Sequence, residues 1–100
     1  MTDKEIKNIL GKIISDILDG KLDRKLAVNQ LIQNINPKEI YNSNDFEISD
    51  CYFAIKHLSE EGDETLFKEI EYFDECLNGN RKYSLDEKNL YLKEYLDKKL

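Results

Sequence analysis

The sequence predicts an all-α fold: a compact bundle of four to five short helices built as a single helical domain over residues 1–100. Three observations point there. Apolar residues recur at steps of three and four along most of the chain, which places them on one helical face. Only one proline and four glycines punctuate 100 residues, too few for the many turns of a β domain. Charged residues make up 36% of the chain, a proportion that suits helices with one wet face.

Each element follows from its stripe and its caps. In residues 3–18, Ile6, Ile9, Leu10, Ile13, Ile14, Ile17 and Leu18 trace one face, and Gly20 reads as the C-terminal cap. Asp23 opens a second helix with Leu26, Ala27, Leu31, Ile32 and Ile35 on its apolar side. Pro37 is expected to stop it, leaving 36–44 as an irregular connection. Asn44 and Glu47 have the spacing of a capping box for a third helix. Its core positions are Ile48, Cys51, Ile55 and Leu58, with Tyr52 and Ala54 at the edges, and Gly62 closes it. Asp63 caps a fourth helix with Leu66, Phe67, Ile70, Phe73 and Leu77 inward, ended by Gly79. Ser84 and Glu87 form a further capping box before a last helix with Tyr91, Leu92, Tyr95 and Leu96 on one side. The rival is an α+β domain with a short strand near Ile40–Tyr41.

Charge is distributed unevenly. Residues 1–40 carry seven basic and six acidic side chains, residues 41–80 two basic and eleven acidic, and residues 81–100 six basic and four acidic. The middle therefore holds all of the excess behind the formal net charge of −6. A solvated helix face accounts for many charge runs. A face of one sign, however, repels itself, and a basic partner would offset that cost. The same sign disfavours direct nucleic-acid binding, because phosphates need a basic surface.

Catalytic chemistry finds little support. His57 has no nucleophile and orienting acid at suitable spacing, and an enzyme is not expected. Cys51, His57 and Cys76 lack the close pairs of a zinc site. The acids of 60–64 lack the alternating ligands and central glycine of a calcium loop, and the isolated glycines cradle no phosphate. No cofactor or metal is expected. Both cysteines are expected to be buried free thiols, since nothing reads as a secretory signal. No apolar run approaches the roughly 20 residues of a membrane span. A cytoplasmic monomer, without membrane contact, is the expectation.

Three segments carry a resemblance: ILDGKLDRKLAVNQLI (17–32), SDCYFAIKHLSEE (49–61) and RKYSLDEKNLYL (81–92). Together they resemble the small helical immunity proteins of bacterial toxin systems, both the colicin D type and those of contact-dependent growth inhibition. The resemblance implies a cognate toxin, often a basic nuclease, blocked by acidic and aromatic side chains. The residues expected to meet such a partner are Tyr41, Asp45, Glu47, Asp50, Phe53, Glu60, Glu61, Asp63, Glu64 and Tyr72. Tyr72 is expected at the rim because it adjoins an inward Phe73, and adjacent helical residues point about 100° apart. Two other functions fit the same sequence: a phage-encoded anti-defence inhibitor, and a helical structural or regulatory subunit that dimerises.

Overall fold

A computed structural model describes residues 1–58 and 64–99. Among these residues the chain forms six α-helices and no strand: α1 (Asp3–Leu18), α2 (Arg24–Asn34), α3 (Pro37–Asn42), α4 (Phe46–His57), α5 (Glu64–Leu77) and α6 (Leu85–Lys99). The all-helical expectation holds, with one helix more than expected. The caps expected at Gly62 and Asp63 lie outside the described residues.

Local chemistry sets most of the boundaries. Thr2 caps α1 through a reciprocal box: the Glu5 amide donates to Thr2 Oγ1, and the Thr2 amide donates to Glu5 Oε1. Gly20 follows the end of α1 at φ +76°, a left-handed conformation that glycine adopts without a Cβ penalty. Its position lets the amides of Lys21 and Leu22 turn back onto the Asp16 carbonyl. Asp23 caps α2 by accepting the Leu26 amide at 2.8 Å. Gly79, at φ +80°, closes α5 in the same left-handed way.

Two expected features are corrected here. Pro37 ends α2, but it also opens α3 at the first helical turn, where a missing N–H costs nothing. Asn36 caps that helix by accepting the Lys38 amide, so most of 36–44 is helical. Ile40 and Tyr41 lie in α3, which removes the strand alternative. Asp45, rather than Asn44, caps α4 and accepts the Glu47 amide at 3.0 Å. At the start of α6 the Glu87 amide does donate to Ser84 Oγ, at 3.4 Å.

The core lies where α1 packs against α5, α2 and α4. It is unusually rich in isoleucine: Ile6, Ile13, Ile14, Ile17, Ile35, Ile40, Ile48, Ile55 and Ile70 join Leu10, Leu31, Leu58, Tyr52 and Phe73. Cys51 and Cys76 are both buried and free. The radius of gyration, 13.1 Å, is that of a folded domain of this length, about 13 Å. On α2 the expected stripe is too wide: Ala27, Leu31 and Ile35 are buried, whereas Leu26 and Ile32 are exposed. Leu96, grouped with Tyr91, Leu92 and Tyr95 on one side of α6, is exposed too.

This pattern separates two isoleucines of similar sequence surroundings. Ile14→Ala removes a fully buried side chain and should lower unfolding stability by about 2–5 kcal/mol. Ile32→Ala, at an exposed site, should stay within about 0.5 kcal/mol. Urea unfolding of both variants checks the assignment.

Candidate functional site

The acidic middle of the chain is answered by cations from its flanks. Lys7 of α1 meets Asp45 Oδ2 at 2.8 Å and Glu47 Oε1 at 3.0 Å, tying the first helix to the start of α4. Lys88 of α6 meets Asp50 of α4 at 2.8 Å and Glu69 of α5 at 2.9 Å. Arg81, in the connection after α5, meets Glu75 at 2.7 Å, and Lys68 pairs with Glu71 along α5 at 2.8 Å. Six acids of the stretch are thus held by four cations, three of which come from the segments of positive balance.

The Lys88 cluster is the most buried of these. Its side chain is only 7% exposed, and its ammonium donates to both Asp50 oxygens and to Glu69 Oε1. Such enclosure is expensive unless every charge is hydrogen-bonded. Tyr83 completes the cage by donating its hydroxyl to Asp50 Oδ2 at 2.6 Å. The Phe73 ring lies 5.4 Å from the ammonium and supplies a cation–π contact. Burial pulls the Lys88 pKa down, but the hydrogen bonds to Asp50 and Glu69 outweigh it, and the ammonium is held above its ordinary value. Burial pushes the Tyr83 phenol well up, and the neighbouring Asp50 carboxylate pushes it further.

An aromatic cluster extends from the cage. Tyr83 stacks on Phe73 at 5.9 Å and leans on Phe46 at 6.4 Å. Tyr72 contacts Tyr91 at 5.6 Å, and the Arg81 guanidinium covers both rings at 5.4 and 5.3 Å. The Tyr72 hydroxyl donates to the Ser84 carbonyl and accepts the Ser84 amide.

The expected partner residues divide accordingly. Tyr72 is corrected: it is fully buried at 0% exposure, because Tyr91, Arg81 and Ser84 cover the side of α5 that the helical register leaves outside the main core. Asp45, Glu47 and Asp50 are drawn into the internal pairs. Tyr41 stands out at 77% exposure, and Phe53 is half-buried against Tyr52. Glu60, Glu61 and Asp63 lie outside the described residues, and Glu64 is the first residue of α5. Sequence reasoning missed Phe46 (59% exposed), Tyr83 and Lys88. A lone lysine in a helix reads as a wet-face residue, and its buried role emerges only when three elements converge on it. His57 is exposed at the end of α4.

No group of three or more His, Cys, Asp or Glu is arranged to hold a metal among the described residues. No helix among them is long and apolar enough to cross a membrane. Compared with known proteins, the chain matches no family model, no curated sequence and no solved structure.

The cage gives a pH dependence of defined sign. A tyrosine with a raised native pKa keeps its proton longer in the folded state, so its contribution to stability is complete below about pH 10 and is lost as pH rises toward the native value. The raised Lys88 ammonium acts in the same direction. Stability should therefore fall from pH 9 to pH 11.5 in urea unfolding. Tyr83→Phe should cost about 1.5–3 kcal/mol at pH 8 through its lost bond to Asp50, with a shallower alkaline decline.

Proposed function

We propose that this chain is a binding protein that neutralises a partner with a basic surface, most concretely an immunity protein that sequesters a bacterial toxin. The observation that carries the reading is the way charge is distributed along the sequence. The pairs formed by Lys7, Lys68, Arg81 and Lys88 engage acids along α4 and α5. Between His57 and Phe67 the sequence holds Glu60, Glu61, Asp63 and Glu64 and no lysine or arginine. This is the densest run of acid in the sequence, and it carries no basic residue of its own. Phe67, expected inward, is instead 40% exposed one turn into α5, three residues after Glu64 in the sequence.

Acids and an aromatic side chain have separate tasks in such an interface. Exposed acids raise the rate of encounter with a basic surface and select against acidic partners. A desolvated aromatic side chain supplies lasting contact. Phe67 takes the anchoring role first assigned to Tyr72, and Tyr41 offers a second exposed ring. The resemblance of residues 17–32, 49–61 and 81–92 to toxin-immunity proteins favours the same kind of partner. A phage-encoded anti-defence inhibitor would use the same chemistry, and the neighbouring genes distinguish the two. Exposed Leu85, Leu90 and Leu96 on α6 favour a second reading, a helical subunit that dimerises, which the mass in size-exclusion chromatography decides.

The test uses the protein encoded beside this gene as partner. Glu60→Lys, Glu61→Lys and Glu64→Lys together should slow association at least about tenfold and flatten its dependence on salt. Phe67→Ala should mainly raise the dissociation rate. Folded variants with unchanged kinetics on a bound partner would refute the acidic corner as the interface. Absence of binding and of protection against that protein would refute the immunity reading itself.

A further inference from the structure

The main apolar cluster is complete without the last helix. Its buried members come from α1, α2, α3, α4, α5 and their connections, and none lies in α6. The half-buried residues packed against it include Tyr83, in the connection before α6, but again none from α6 itself. Contacts among α1, α2, α4 and α5 close on one another, whereas α6 packs along α5.

What holds α6 is a buried charge and a few ring contacts. Lys88 is its one fully buried side chain among the described residues, at 6% exposure, while Leu85, Leu90 and Leu96 face solvent. The ammonium reaches Asp50 of α4 and Glu69 of α5. Tyr91 rests on Tyr72 and under Arg81, and Lys68 lies 5.0 Å from the Tyr95 ring. Buried ion pairs of this kind fix a geometry while adding little net stability, because desolvation offsets much of their attraction. Removing one partner is different, since it strands a buried charge.

We propose that α6 is a latch: a C-terminal helix closed by the buried Lys88 ion pairs and the ring contacts of Tyr91 and Tyr95, which opens as a unit while α1, α2, α4 and α5 remain folded. Opening lifts Tyr91 from the Tyr72 face of α5, a buried aromatic surface outside the main cluster that Arg81 and Ser84, in the connection before α6, also contact. Segments with few apolar core contacts form the low-stability cooperative units of a protein, and α6 meets that description.

Native-state hydrogen exchange of the full chain across low urea concentrations tests this. In the unaltered protein, α6 amides should exchange at least about tenfold faster than core amides of α1 and α4, and with a weaker urea dependence, because less surface opens. In Lys88→Met, α6 amides should fall to within about tenfold of unfolded-chain rates while α1 and α4 amides stay protected. Two results would overturn the latch. One is exchange of α6 and α1 amides on a single isotherm in the unaltered protein. The other is loss of protection throughout the chain in Lys88→Met.

Discussion

The docking of the last helix depends on one buried lysine. Lys88 brings a positive charge from α6 to two carboxylates, Asp50 on α4 and Glu69 on α5. No apolar side chain at that position could hydrogen-bond to both acids. The Tyr83 hydroxyl and the Phe73 ring finish the cage, so its polar atoms are met from four directions. The last helix, which adds no side chain to the main apolar cluster, is thereby fixed against α4 and α5. The same principle recurs at lower burial where Lys7 clamps α1 to the start of α4.

This arrangement changes the meaning of the charge segregation. Eleven acids between residues 41 and 80, read along the chain, suggest one continuous acidic face. In three dimensions the flanks fold back and place Lys7, Arg81 and Lys88 among them. Charge that is segregated in sequence is in large part a recipe for long-range pairing. The helical hairpin is therefore not one continuous unpaired acidic face. Self-repulsion along α4 and α5 is relieved in part internally.

The legible parts of the fold were those governed by short-range chemistry. The isoleucine stripe of α1, the Asp23 cap, the left-handed glycines after α1 and α5 and the Ser84–Glu87 contact follow from residues within a few positions of one another. The misread parts needed information from elsewhere. Pro37 has two compatible meanings, a stop for α2 and a start for α3, and the Asn36 side chain selects both at once. Tyr72 looked like a rim residue because Phe73 claimed the inward direction, yet a later helix covers it. Lys88 carried no local signal, since its burial is imposed by partners 38 and 19 residues away. Leu26, Ile32 and Leu96 fitted helical stripes that the packing left uncovered.

A double-mutant cycle between Lys88 and Asp50 tests the central claim most directly. Stability of the unaltered protein, Lys88→Gln, Asp50→Asn and the double variant would be measured by urea unfolding in 0.15 and 1 M NaCl. A buried pair that organises three helical elements should show a coupling energy of about 1.5–3 kcal/mol that persists in high salt, because enclosed charges are poorly screened. A coupling below about 0.5 kcal/mol, or one that vanishes at 1 M salt, would mean that the pair is a surface contact and that other interactions hold α6 in place.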